Sequence, residues 1–183
     1  MVELGPKIYC ASKIWHAEKW QKLRDEEGYN IISTWINYPC GTKEKPEGAL
    51  QLNSTQQRTL WENCVEEVNK CDLLIAYAEE GEEHRGVLVE IGGALAQRHP
   101  VFLIGRCDSF RKSDSSDAAY MHHPLFYPLC MPNFPVSTGY KVVIEKFWKI
   151  LRDSHKNGTR DNLHTNVAHK RALIFIITLF IIG

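Results

Sequence analysis

The sequence predicts an α/β fold in which a mostly parallel sheet carries helices on both faces. Apolar runs of strand length alternate along the chain with segments of helical period, as βαβ crossovers require. Two of those runs, Leu73–Tyr77 and Val101–Gly105, are apolar at nearly every position, which is typical of parallel strands covered on both sides. A chain of 183 residues with 44% hydrophobic and 24% charged residues suits one such domain.

The first half of the chain supplies two strands and two helices. Lys7–Ala11 is a short apolar run that predicts the first strand, and Ile14–Glu27 is rich in helix formers. Gly28 then ends that helix, as glycine often does. Asn30–Trp35 is β-branched and predicts a second strand, and Gln56–Lys70 keeps helical spacing of its apolar residues.

The second half continues the alternation. After the strand at Leu73–Tyr77, helical period returns over Gly86–Arg98 and is broken before the strand at Val101–Gly105. Phe126–Met131 predicts a short fifth strand, and Lys141–Arg152 an amphipathic last helix. This order is that of a flavodoxin-like, doubly wound sheet, in which ligands bind at the carboxyl ends of the strands.

Charge and cysteine content exclude several classes of partner and site. Lys+Arg and Asp+Glu both number 22, so no basic excess favours a nucleic acid polymer. The six cysteines form no C-x-x-C pair and no secretory signal begins the chain, so we expect reduced thiols in a cytoplasmic protein. We do not expect a metal, because the one combination of cysteines and histidines considered as zinc ligands matches no common zinc spacing. That combination is Cys107, His122, His123 and Cys130.

The domain is expected to cover residues 1–155, followed by a linker and a short apolar tail at 156–183. The tail ends in ALIFIITLFII at Ala172–Ile182. That stretch is shorter than the about 20 apolar residues that a membrane-spanning helix needs. We therefore expect a final strand or a tail packed on the domain and not a membrane contact, with a weak membrane anchor or a region outside the native domain as alternatives, and we assign the tail no function.

Glu90 is the residue whose surroundings most favour chemistry. It lies on a predicted helix, four residues after Gly86 and just before two further glycines, so backbone or ligand is expected to approach closely there. Within the first turn or so of that helix, the dipole would favour a carboxylate. The alternative is an ordinary exposed charge or an ion-pair partner of Arg85 or Arg98.

Four segments resemble the nucleoside 2-deoxyribosyltransferase family: KIYCAS at 7–12, CDLLIA at 71–76, GVLVEIGGALA at 86–96 and PVFLIG at 100–105. The similarity covers roughly residues 6–150. The resemblance implies a flavodoxin-like fold, dimers or larger homo-oligomers, no cofactor, and cleavage of the N-glycosidic bond of 2-deoxynucleosides or their monophosphates. It also implies that Glu90 is the nucleophile that forms a covalent sugar ester.

The resemblance carries over to two further positions in the first strand and just after it. Ser12 matches a serine that contacts phosphate in nucleotide-hydrolysing members, or else it caps the first helix. Tyr9 lines the base pocket or belongs to the core. The sequence departs from the family at Cys64, where members carry an aspartate that handles the proton of the leaving base. It departs again at His84, which stands where transferases carry another aspartate.

His84 and the tryptophans leave alternatives open. A histidine at position 84 is suited to act as a general acid or to hold a phosphate, or it is a solvated loop residue. Trp35, at the end of the predicted second strand, is the best candidate for stacking on a nucleobase. Trp20 and Trp61 are expected in the core.

Three functions follow in order of preference. The first is cleavage or transfer of the N-glycosyl bond of a small-molecule (deoxy)nucleoside or nucleotide through a covalent glycosyl-glutamate intermediate. In it Glu90 and His84 are the catalytic residues, and the substrate is held by Tyr9, Ser12, Trp35 and Gly86. The alternative is a catalytically inactive nucleotide-binding module of the same fold, and an unrelated interaction domain ranks third.

Overall fold

The computed structural model describes residues 5–39, 42–43, 52–106, 124–129 and 136–156. The strands are β1 (Ile8–Ala11), β2 (Leu73–Ala78), β3 (Val101–Gly105) and β4 (Phe126–Pro128), all parallel and in that spatial order. The helices are α1 (Ala17–Asp25), α2 (Ser54–Lys70), α3 (Arg85–Ala96) and α4 (Val136–Lys156), with short 3₁₀ helices at Ile14–His16 and Thr34–Asn37.

Helices α1 and α4 cover one face of this sheet. The ring of Tyr77 in β2 meets that of Trp20 in α1 edge-on, with 6.3 Å between the ring centroids. Tyr77 is paired in register with Ile104 of β3, and Gly139 of α4 packs directly on the Ile104 side chain. Residues paired in register point to the same side of a sheet, so both helices lie on that side.

Helices α2 and α3 cover the opposite face. Tyr9 of β1 pairs in register with Leu74, which points away from Tyr77, and its hydroxyl reaches Glu90 on α3. A Cβ added at Gly93 of α3 would lie 3.3 Å from the side chain of Val68 on α2. The close approach expected near Gly93 is therefore made by a neighbouring helix. The arrangement confirms the predicted flavodoxin-like α/β fold.

The predicted second strand, Asn30–Trp35, is wrong in extent. Only Ile31 pairs with the sheet, through one parallel bridge to Ile8 beside β1. The chain then turns into the 3₁₀ helix Thr34–Asn37. The place of this strand in the flavodoxin-like order is held by a single residue.

Side chains explain why this strand stops. The backbone N–H of Cys10 donates to Ser33 Oγ at 2.7 Å, and the indole N–H of Trp35 donates to the Cys10 carbonyl at 2.7 Å. In a ladder these two groups of Cys10 would bond to backbone. Serine is able to replace such partners with its hydroxyl, so the ladder ends without leaving a buried backbone group unpaired.

The helix ends agree with the sequence where capping residues mark them. Asn53 caps α2 in a full capping box with Gln56, and Gly28 follows α1 with a φ of +74°. Trp20 is fully buried, as expected, whereas Trp61 is 44% exposed on α2, so its predicted core position is wrong. Trp61 occupies the outer side of an amphipathic helix, which its spacing alone did not distinguish from the inner side.

Several predictions lie outside the described residues. These are residues 157–183 of the linker and tail predicted at 156–183, and the four residues of the disfavoured zinc combination, Cys107, His122, His123 and Cys130. Lys156 itself is the last residue of α4. The cysteines of the described part are Cys10, Cys64 and Cys71, which are buried free thiols, as expected of small core residues. Within the same part, no helix is long and apolar enough to cross a membrane.

Candidate functional site

Glu90 is held between α3 and β1 by one short hydrogen bond. It is the sixth residue of α3, so it lies in the second turn and not in the first, where we expected it. The hydroxyl of the fully buried Tyr9 donates to Glu90 Oε1 at 2.6 Å. Arg85 instead pairs with Glu83, 3.4 Å away. Glu90 is therefore not the surface partner of Arg85 that the alternative required.

The surroundings of Glu90 keep its carboxyl group close to its titration point at neutral pH. Burial raises the pKa of Glu90 to about 7, the hydrogen bond from Tyr9 opposes that rise, and the negative charge of Glu67 adds to it. Both the carboxylate and the acid are thus populated near pH 7. A carboxyl group poised in this way is suited to nucleophilic or acid–base chemistry.

Cys64 stands in this site as a neutral group. It is buried on α2, and burial raises the pKa of its thiol to about 12. It interacts with Tyr9 and with the charge of Glu90, so position 64 does face the candidate nucleophile. The residue that departs from the family pattern therefore brings no charge to the site.

Glu67 is the carboxylate that the sequence analysis missed. It lies one turn after Cys64 on α2, half-buried, and its Oε2 accepts the backbone N–H of Thr34 at 3.0 Å. Burial raises the pKa of Glu67, and its charge acts on Glu90 and Cys64 alike. The i, i+3 spacing from Cys64 is the signal that points to this side of the helix.

His84 is buried at the N-cap position of α3, and its side chain makes no capping hydrogen bond there. Burial lowers the pKa of His84, the charge of Glu82 opposes that change, and the charges of Lys13 and His16 add to it. The reading as a solvated loop residue is wrong, because the side chain lies in the interior. The imidazole is mostly neutral at pH 7.

A buried carboxylate, that of Glu82, lies two residues before His84. Its side chain is fully buried, and its Oε1 accepts the Trp15 indole N–H at 2.8 Å and lies 2.8 Å from His16 Nε2. Its Oε2 accepts the backbone N–H of Glu79, also at 2.8 Å. Burial alone would raise its pKa, but the hydrogen bonds and the charge of His16 prevail and hold the pKa of Glu82 at about 2.

The side chains of His16, Glu79 and Glu82 are the described group whose spacing a cation could bridge, with ligand atoms within 4.8 Å of one another. Hydrogen bonds already engage both oxygens of Glu82. Glu79 Oε1 likewise accepts hydrogen bonds from Lys19 and from the Tyr77 hydroxyl. The cluster is therefore explained as a hydrogen-bonded network, and we assign no metal to it.

The predicted substrate-binding residues fall in different surroundings. Ser12 Oγ accepts the indole N–H of Trp20 at 2.8 Å. Ser12 does not cap a helix, because Lys13 is the N-cap of the 3₁₀ helix Ile14–His16 and His16 is the N-cap of α1. Trp35 is 7% exposed and gives its indole N–H to Cys10. Gly86, in the first turn of α3, is exposed and has open space where a Cβ would lie. A role in substrate binding stays a prediction for all three, with Gly86 the most accessible.

No protein-family model matches this chain, and no curated protein does. Among solved structures, it is similar to a 2-deoxyribosyltransferase from Bacillus psychrosaccharolyticus, at 15% identity and a TM-score of 0.48, over 73% of this chain and 95% of that one. It is also similar to the Clostridium botulinum CMP N-glycosidase BcmB, at 16% identity and a TM-score of 0.44, over 74% of this chain and 97% of that one. At these identities and TM-scores neither protein assigns an activity to this chain.

Proposed function

We propose that this protein cleaves or transfers the N-glycosidic bond of a (deoxy)nucleoside or nucleotide, with Glu90 as the nucleophile. The observation that carries the proposal is the Glu90 carboxyl group, held by Tyr9 and close to its titration point at neutral pH. The motif around Glu90, which resembles that of nucleoside 2-deoxyribosyltransferases, supports it.

In the proposed reaction, an Oε atom of Glu90 attacks the anomeric carbon of the sugar. The bond from that carbon to the base nitrogen breaks, and its electron pair leaves with the base, which takes up a proton. Water, or a second base, then attacks the anomeric carbon of the Glu90 ester and frees the carboxylate. Two displacements at one carbon retain its configuration.

His84 is proposed as the donor of the proton that the leaving base takes up. The reaction needs ionised Glu90 and protonated His84 together. Because burial raises the pKa of Glu90 to about 7 and lowers that of His84, the two required forms overlap only in part. A bell-shaped dependence of turnover on pH is expected from such a pair.

The substrate is proposed to be a small molecule bound at the carboxyl ends of the strands, where Ser12, Gly86 and His84 lie. The chemistry needs no cofactor. A homo-oligomer stays a prediction, and it is supported by large apolar side chains exposed on the neighbouring helices α2 and α3. These are Trp61, Val65 and Val89.

The proposal is tested by measuring the release of free base by chromatography. The substrates are nucleosides, 2-deoxynucleosides and their monophosphates, and Glu90→Gln and Glu62→Gln run beside the wild type. Wild type and Glu62→Gln should release base from the same substrates. Glu90→Gln should lose on the order of 10³-fold or more in turnover, because the amide is a poor nucleophile. Glu62 is the matched control because it is exposed on α2.

Equal turnover by Glu90→Gln and wild type would overturn Glu90 as the nucleophile. The alternative function, an inactive nucleotide-binding module, is favoured by the neutral thiol of Cys64 where the family carries an aspartate. It predicts that a nucleotide raises the melting temperature of the wild type while no base is released from any substrate.

A further inference from the structure

One side chain of the loop that follows β2 is buried against the neighbouring strand–helix connection. Glu82 lies in that loop, two residues before His84, and its carboxylate is shielded from solvent. Its contacts are with the turn that follows β1, where Trp15 donates to it and His16 lies 2.8 Å away. A residue of one strand–helix connection is thereby fixed to the connection beside it.

We propose that Glu82 is a positioning residue, whose buried carboxylate holds the Glu79–His84 loop against the Trp15–His16 turn and so keeps His84 at the carboxyl edge of the sheet. The role given to His84 rests on the proposed function. The attachment of the loop is inferred from the hydrogen bonds of Glu82 and does not depend on that function.

The geometry requires a carboxylate at this position. Trp15 donates to Oε1, and the backbone N–H of Glu79 donates to Oε2, so both oxygens act as acceptors. A glutamine offers one oxygen and one NH₂ group, so in either orientation a donor would face a donor. A buried donor left without an acceptor costs about 1–3 kcal/mol. The glutamine variant should therefore loosen the loop although its size is nearly unchanged.

The same network explains why the loop has this place in the fold. The His16 ring packs edge-on against Tyr77 of β2, with 4.9 Å between the ring centroids. Tyr77 in turn donates its hydroxyl to Glu79, which also binds Lys19 of α1. The loop is thus fixed at Glu79 and at Glu82, and the deeper of the two attachments is the one nearer His84.

Glu82→Gln tests the proposal in the full chain, with Glu83→Gln as the matched control. Glu83 is the next residue, and its side chain is 73% exposed. Nuclear magnetic resonance relaxation of the backbone amides at 79–84 reports on the loop whether or not the protein is an enzyme. In Glu82→Gln their order parameters should fall from about 0.85 to below about 0.6, while Glu83→Gln should match the wild type.

The kinetic measurement uses the substrate from which the wild type releases base. Glu82→Gln should lower kcat by about tenfold or more with KM changed far less, since small misplacement of a catalytic group is costly. The acidic side of the pH profile should also move, because the charge of Glu82 acts on His84. If Glu82→Gln does not fold, Trp15→Phe removes one donor to Glu82 and leaves a smaller aromatic ring in its place, and it should show smaller changes in the same directions.

Amides at 79–84 that stay as rigid in Glu82→Gln as in the wild type would overturn the proposal, as would an unchanged kcat. If the wild type releases no base from any substrate, the proposed function fails. The relaxation measurement then still decides whether Glu82 holds the loop.

Discussion

Two carboxyl groups, Glu90 on α3 beside β1 and Glu82 in the loop after β2, have pKa values changed in opposite directions. Glu90, on the α2–α3 face, receives one hydrogen bond from Tyr9 and faces the negative charge of Glu67, and its pKa is raised to about 7. Glu82, on the α1 side, accepts hydrogen bonds from the Trp15 indole N–H and from the backbone N–H of Glu79. The charge of His16 also acts on it, and its pKa is lowered to about 2. Burial is the largest single influence on both groups, and it acts in the same direction.

Burial therefore does not by itself determine what a carboxyl group does in a protein. The number of donors and the sign of the neighbouring charge decide whether a buried carboxyl group is reactive or structural. Glu82 accepts two hydrogen bonds, lies 2.8 Å from His16 Nε2 and acts as an attachment point. Glu90 accepts fewer, and its free energies as acid and as carboxylate are nearly balanced.

The largest expected effect of this difference is on stability as a function of pH. Glu90 stabilises the fold below the ordinary pKa of 4.5, and that contribution is lost as pH rises through about 7. Glu82 stabilises the fold above 4.5, and its contribution is lost as pH falls towards about 2. Each contribution is on the order of 3 kcal/mol, because the pKa of each group differs from its ordinary value of 4.5 by between two and three.

Urea unfolding of the wild type, Glu90→Gln and Glu82→Gln from pH 3 to pH 8 checks both signs. The unfolding free energy of the wild type should fall between pH 5 and 8, and in Glu90→Gln this fall should be absent. Glu82→Gln should be less stable at pH 6 and should lose less on acidification. The opposite signs would be contradicted if both variants reduced the pH dependence of the unfolding free energy over the same pH range.

A smaller effect is expected from the two neighbours of Glu90. The hydrogen bond from Tyr9 lowers the pKa of Glu90, so Tyr9→Phe should raise it. The charge of Glu67 raises that pKa, so Glu67→Gln should lower it. Each change should be about one pKa unit and should appear in the carboxyl carbon resonance of Glu90 titrated by nuclear magnetic resonance. Glu62→Gln, from the exposed side of α2, should leave the midpoint in place, and shifts of the same sign in both variants would contradict this account.

The smallest effect is expected at the outer part of the Glu82 network. The Glu79 side chain is 35% exposed, and its partner Lys19 is exposed as well. Pairs of this kind contribute about 1 kcal/mol or less. Glu79→Gln should therefore lower the melting temperature clearly less than Glu82→Gln does, and an equal loss would mean that depth of burial does not separate the two residues.

The fold alone brings Glu90 to its partner Tyr9, which lies 81 residues earlier in the chain. The strands β2 and β3 follow from their apolar runs, and the candidate Glu90 was predictable from the motif around it. Glu82 was not, because its partners Trp15 and His16 lie more than 60 residues earlier and only the fold brings them together. Loops of clustered acidic residues look solvated in a sequence, and nothing local distinguishes the one that is buried.

The second strand failed for a related reason. Its β-branched composition favours a strand, but Ser33 and Trp35 bond to Cys10 with their side chains. Glu67 was missed because its exposure depends on the 3₁₀ helix that replaces that strand, where Thr34 donates to it. One departure from the predicted sheet thus concealed one residue of the candidate site.

The shortened second strand also has a consequence for how the protein avoids self-association through its sheet. An open outer edge on β1 would be a template for a strand from another chain. Here Ile8 is paired on that side with the backbone of Asn30 and Ile32, and Cys10 is paired with Ser33 and Trp35. The outer edge of β1 is therefore closed to amyloid-like strand addition by a segment that is itself barely a strand.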